Sequence, residues 1–121
     1  MGGIETVDSK EIAIICARIA YDKKAEDILI FDMKGLTFLT DYFVICSGSN
    51  KRQLQSIANG IEQDLHSYGI RLIGMEGYTE ASWILMDYGD VIVHIFNKDT
   101  RRFYDLELLW GDAPKVKWRK D

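Results

Sequence analysis

The stretch "WILMDYGDVIVHIF", residues 83–96, decides the fold. Apolar residues alternate on both sides of Gly89, and the spacing predicts a β-hairpin with strands over 82–88 and 90–96. Side chains alternate across a strand, so Ile84, Met86, Tyr88, Val91, Val93 and Ile95 share one face, and Trp83, Leu85, Asp87, Ile92, His94 and Phe96 share the other. Both groupings hold whether the turn is Tyr88-Gly89 or Gly89-Asp90. The first face is expected to be core. The second is apolar at one end and polar at the other, with Asp87 and His94 on one side of the sheet. Trp83 has two readings, an exposed anchor or a ring covered by the last helix, and the residues alone leave both open.

Outward from the hairpin, "DILIFDM" (27–33) and "DYFVICSG" (41–48) read as strands. The second is nearly continuously apolar, as suits a central strand covered on both faces. Between them "KGLTFLT" (34–40) is ambiguous, with Gly35 marking a turn, and "RLIGM" (71–75) is a short strand. Asp8 followed by Glu11 has the form of a capping box, and Ile12, Ile15, Cys16 and Ile19 at helical spacing predict a helix over 9–21. Asn50 with Gln53 is a second capping pair. Leu54, Ile57, Ala58, Ile61, Leu65 and Tyr68 form one helical face, and Gly69 ends it. In "KDTRRFYDLELLWGDAP" (98–114), Asp99 is the expected N-cap. Phe103, Leu106, Leu109 and Trp110 are the expected buried stripe, with Gly111 and Pro114 as the stop. The tail "KVKWRKD" (115–121) is basic and expected to fray. The order helix, two strands, helix, three strands, helix implies an α/β sandwich around a mixed, roughly five-stranded sheet.

Composition narrows the function classes. The chain has 121 residues, enough for one domain and one core. A net charge of -4 disfavours wrapping nucleic acid, which needs clustered Lys and Arg, and suits a basic protein partner. Cys16 and Cys46 lie in apolar surroundings with no C-x-x-C, as expected for buried, reduced thiols in a cytoplasmic protein. No apolar run has the length of a membrane span, and "MGGIETVDSKE" (1–11) lacks the features of a signal or transit peptide.

Four chemistries fall short. Gly48-Ser49 opens a helix after a buried strand, as in nucleotidyltransferases, where a helix N-terminus holds phosphate. That reaction also needs an Asp-x-Asp pair for Mg²⁺ on the next strand, and "RLIGM" carries no acid. Asp87, Asp90 and His94 form a metal set in composition only, since Asp90 sits at the turn, where Asp serves turn chemistry. Cys46 has no base in its apolar strand to activate it. No G-x-G-x-x-G is present. A protein-binding face on the hairpin remains, because aromatic anchors beside acids suit a partner patch.

"DYFVICSGS", "MEGY", "WILMDYGDVIVHIF" and "RRFYDLELLWGDA" occur with the order and spacing of the ribosomal silencing factor family, also called Iojap-like proteins, and the resemblance covers residues from about 10 to 113. One departure is Asn50-Lys51, where Ser or Thr and then a polar or acidic residue are expected; Lys51 is mildly unfavourable near a helix N-terminus. The resemblance implies a fold similar to that of nucleotidyltransferases, which accounts for Gly48-Ser49, and a non-catalytic role without cofactors. It implies binding to the large ribosomal subunit, through the protein fourteenth in the large-subunit series, so that the small subunit cannot join when nutrients are scarce. It implies a cytoplasmic location and a homodimer as one state. It names Glu76, Tyr78, Trp83, Leu85, Asp87, Asp90, His94, Arg102 and Tyr104 as the partner patch, without dividing contacts from supports. The competing class is a nucleotide-binding or nucleotidyltransferase-like enzyme with a degenerate site.

Overall fold

The hairpin forms as the alternation requires, and it sits at the middle of the sheet. In the computed structural model, which describes residues 7–119, the elements are α1 (Ser9–Asp22), β1 (Glu26–Asp32), β2 (Tyr42–Gly48), α2 (Lys51–Ser67), β3 (Gly74–Glu76), β4 (Trp83–Asp87), β5 (Val91–Asn97), α3 (Lys98–Tyr104) and α4 (Leu106–Leu109). The expected absence of a targeting segment rests largely on residues 1–6, which lie outside the described range. The five strands pair in the order β1-β2-β5-β4-β3. Only β2 and β5 run parallel, and the other neighbours are antiparallel, so the sheet is mixed as expected. Among the described residues, no helix is long and apolar enough to cross a membrane.

Alternation along β4 and β5 sorts the two faces. Ile84, Met86, Val91, Val93 and Ile95 are fully buried beneath α1 and α2, together with Val44, Cys46, Leu54, Ile57, Ile61 and Leu65. Both helices start from side-chain caps. Asp8 Oδ1 accepts from the Glu11 N–H at 2.8 Å, and Asn50 Oδ1 accepts from the Gln53 N–H at 2.8 Å. Tyr68 departs from expectation: it is the C-cap of α2 and is exposed, and the buried face stops at Leu65. The turn is Gly89-Asp90, closed by the Tyr88 N–H donating to the Val91 carbonyl, with Gly89 at φ +85°.

The opposite face has a smaller cluster, Phe31, Met33, Ile45, Phe96 and Ala113, packed by Leu29, Phe43, Trp83, Leu106 and Trp110. Its cover departs most from the sequence expectation. Asn97, not Asp99, caps α3, accepting from the Thr100 N–H. The helix breaks at Asp105, which adopts φ +47°, donates its N–H to Arg101, and accepts from the Leu108 N–H to start α4. Asp favours such a cap over a helix interior because its short carboxylate competes for nearby backbone N–H groups. The break rotates the expected stripe. Leu106 and Trp110 pack inward, whereas Phe103 (80% exposed) and Leu109 (68%) face outward.

Two further expectations are corrected. The strand expected over 71–75 forms only at Gly74–Glu76, because it pairs only with the short β4. The tail does not fray through residue 118. Asp32 donates its N–H to the Pro114 carbonyl, Lys115 bridges Phe31, Val116 donates to Ile30, and the Trp118 indole donates to Ile28. The tail therefore covers the outer edge of β1, an edge otherwise open to pairing with other chains.

Gly77 connects this frame to Trp83. It adopts φ +79°, and a Cβ there would collide with the Trp83 carbonyl oxygen. Gly77→Ala should therefore lower stability by about 2 kcal/mol or more, because strain and collision act together. Urea unfolding of the two proteins checks this; an unchanged midpoint would contradict it.

Candidate partner-binding face

The register across the sheet places the candidate side chains in rows on the face away from α1 and α2. Glu76 lies opposite Leu85, Leu85 opposite His94, and His94 opposite Ile45. The neighbouring rows are Asp87, Ile92 and Phe43, and Trp83, Phe96 and Ser47. Asp87 and His94 therefore share a face, as the hairpin requires.

His94 organises this face. It is 5% exposed, and its ring meets the edge of Phe43 at 4.6 Å between centroids. The Trp83 indole N–H donates to His94 Nδ1 at 3.1 Å. An indole nitrogen can only donate, so Nδ1 must be unprotonated and the ring proton sits on Nε2. Burial pushes the imidazole down to about 4, so the neutral ring that the bond demands is the stable form. Nε2 is itself buried without a partner, so His94 acts as a support beneath the surface. Trp83 is half-buried, resting on Phe96 at 4.9 Å and on Tyr104 at 4.8 Å. Both readings of Trp83 are thus partly met: α3 covers one side of the ring and leaves the rest open.

The other named residues divide. Leu85 is half-buried in the row next to Trp83, Asp87 is half-buried at the far end of β4, Glu76 is exposed at the sheet edge, and Tyr104 is exposed against the indole. Asp87 Oδ1 also accepts from the Gly89 N–H at 2.7 Å, so the carboxylate shapes the turn. Asp90 is exposed at the hairpin tip, and its carbonyl accepts from the Asp41 and Tyr42 N–H groups. Arg102 is exposed and paired with Asp99. Tyr78 belongs to the other side, where its hydroxyl accepts from Asn59 and its carbonyl from Gln55, both on α2. Ile92, which the alternation already places on this face, and Phe43, opposite it in the register, join the candidate residues.

The metal and nucleotide readings can be compared with the same geometry. His94 Nδ1 is occupied by Trp83, and the described residues contain no group of three or more His, Cys, Asp or Glu placed to hold a metal ion. At the N-terminus of α2, the Ser49 N–H donates to Gln53 Oε1 at 2.6 Å, and Gln53 Nε2 donates to the Lys23 and Lys24 carbonyls. Two of the N–H groups that a phosphate would use, those of Ser49 and Gln53, are thus engaged by side chains of the chain itself. Burial pushes the Cys46 thiol up to about 12 and raises Cys16 as well, which disfavours the thiolate in both.

These features gain context from known proteins. The family described as "Ribosomal silencing factor during starvation" matches residues 6–121. The chain belongs to the ribosomal silencing factor family. The chain is 49% identical over 108 residues to "Ribosomal silencing factor RsfS" of Bacillus subtilis, covering 89% of this chain and 92% of that one. It is 30% identical over 112 residues to "Protein Iojap, chloroplastic" of Arabidopsis thaliana, covering 93% of this chain but 47% of that protein. A crystal structure of a Chromobacterium violaceum protein superposes with a TM-score of 0.85 at 31% identity over 95% of both chains. One from Bacillus halodurans superposes with a TM-score of 0.79 at 40% identity, over 89% of this chain and 98% of that one.

In this silencing-factor chain a further residue matters that the sequence did not single out. Arg101, 8% exposed, donates through Nη1 to Ser47 Oγ at 2.7 Å, and through Nε and Nη2 to the two carboxylate oxygens of Glu107. This fork ties α3 and α4 to the end of β2 and so holds the element that carries Tyr104. Adjacent arginines look alike in sequence, and the inward one is set by the helix phase that Asn97 establishes.

A pH dependence follows from His94. The unfolded imidazole takes up a proton near its ordinary 6.5, and the folded one only near 4, so between these values the unfolded chain binds the extra proton. Stability therefore falls as pH drops through that window, by on the order of 3 kcal/mol, and this contribution levels off below it. His94→Gln keeps an acceptor for the indole and cannot titrate. Urea unfolding at neutral pH and at about pH 4.5 should show a smaller acid loss in the variant than in the wild type; equal losses would assign the effect elsewhere.

Proposed function

We propose that this chain is a non-catalytic translational repressor that binds the large ribosomal subunit and prevents the small subunit from joining when nutrients are limited. The carrying observation is the Trp83 anchor, fixed by a buried hydrogen bond on a half-open apolar face that carries Glu76 in the next row and Asp87 at the far end of β4, in a chain of this family. Aromatic side chains of this kind give large contact area at low entropic cost, and carboxylates around them suit a basic partner. The partner in this reading is the ribosomal protein fourteenth in the large-subunit series. Membership in a family described by silencing during starvation supports the physiological setting. The engagement of the Ser49 and Gln53 N–H groups by side chains at the start of α2 weighs against the nucleotide-binding alternative.

Sedimentation of the protein with purified large subunits tests binding, and light scattering of subunit association tests the block. Trp83→Ala should weaken binding by about 2 kcal/mol or more, roughly thirtyfold. Asp87→Asn keeps the acceptor for the Gly89 N–H and removes only charge; it should slow association most at low salt. Gln63→Lys, exposed on α2, is the control and should bind normally. Folded Trp83→Ala and Asp87→Asn proteins that bind and block like the wild type would refute the face. A wild type that does not bind large subunits would refute the function.

A further inference from the structure

The loop between β1 and β2 carries the most exposed apolar side chains of the described chain. Phe38 is 108% exposed and Leu39 84%, with Leu36 beside them at 42%. Leaving neighbouring apolar side chains uncovered is unfavourable in water, and a contiguous exposed apolar patch marks an interaction surface. The loop is also built rather than slack. The Leu36 and Thr37 N–H groups donate to the Met33 carbonyl, and the Leu39 N–H donates to Thr37 Oγ1 at 3.1 Å. Both ends are anchored: Met33 is buried in the second cluster and Thr40 is buried beside Tyr42. Met33 donates its N–H to the Asp41 carbonyl, and Asp41 donates its own to the Asp90 carbonyl at the hairpin turn. The loop is therefore joined to the turn of the hairpin, the end of the candidate face that carries Asp87 and lies opposite Trp83.

Charge selects the kind of partner. Asp32, Asp41 and Asp90 stand at the base of the loop. The adjacent cation, Lys34, donates to the Tyr42 hydroxyl at 3.0 Å and lies over its ring at 5.1 Å, which ties it to the protein. An acidic rim around an apolar tip repels an anionic lipid surface and suits a basic protein surface with an apolar recess. We propose that the Leu36–Leu39 loop is a second contact for the same partner as the hairpin face, with Phe38 inserted into an apolar recess bordered by Lys or Arg. This rests on the ribosome-binding reading above and adds to it where the interface extends and what chemistry it meets.

The test uses the full chain and purified large ribosomal subunits. A Phe38→Ser, Leu39→Ser double variant alters only exposed side chains, so its thermal midpoint should match the wild type or exceed it. Its affinity for large subunits should fall about tenfold or more, and Phe38→Leu should recover most of that loss. Tyr68→Ser, an exposed aromatic change at the end of α2, should bind normally. If the double variant binds like the wild type while Trp83→Ala does not, the loop assignment is overturned and the hairpin reading stands. If the wild type does not bind large subunits, both fall. Phosphatidylglycerol vesicles are the competing surface: vesicle binding by the wild type that is lost in the double variant would reassign the loop to membranes and overturn the proposal.

Discussion

The hydrogen bond from the Trp83 indole to His94 Nδ1 is the constraint on which the candidate site depends. It spans β4 and β5 from one row to the next. It fixes the tautomer of one ring and the orientation of the other. A buried imidazole left charged would face the indole donor with a second donor, so the bond and the desolvation that keeps His94 neutral support each other. Trp83 is thereby oriented before any partner arrives. Preorganisation of an aromatic anchor reduces the entropy lost on docking, which is where binding faces gain much of their affinity.

The unequal cover of the two sheet faces explains why this surface is available at all. α1 and α2, fourteen and seventeen residues long, cover most of one face and bury its central residues. The other face has only α3 and α4, seven and four residues, separated by the left-handed Asp105. Short helices cannot span a five-stranded sheet, so Leu85, Ile92 and Phe43 stay half-buried. The Arg101–Glu107 fork holds the short helices in place, and the paired tail closes the β1 edge. What remains open is the half-face that runs from Trp83 along β4 to the hairpin turn.

Most of this could be read from the sequence where a single periodicity governs. Alternation around Gly89 placed twelve hairpin side chains on the correct faces, and two capping pairs placed the starts of α1 and α2. The C-terminal helix differs from the sequence expectation because a helical stripe assumes unbroken phase, and Asp105 resets that phase through a backbone conformation its type permits but does not announce. The tail was read as frayed because its charge is visible in sequence, whereas its pairing with β1 depends on an edge that only the assembled sheet defines. Within the candidate site, Trp83, Leu85 and Asp87 were legible from parity. Tyr78 was carried by resemblance alone, and the structure puts it with α2. That His94 lies beneath the surface and holds the half-open Trp83 ring required the distance between them, which no spacing rule supplies.

Amide hydrogen exchange of the protein with and without purified large ribosomal subunits tests the central claim most directly, because it maps the buried surface without changing a residue. The account predicts slowed exchange over β3, β4, the hairpin turn and α3, with α1 and α2 unchanged from the unbound protein. Slowed exchange concentrated on the outer surfaces of α1 and α2, with the Trp83 side unaffected, would contradict it.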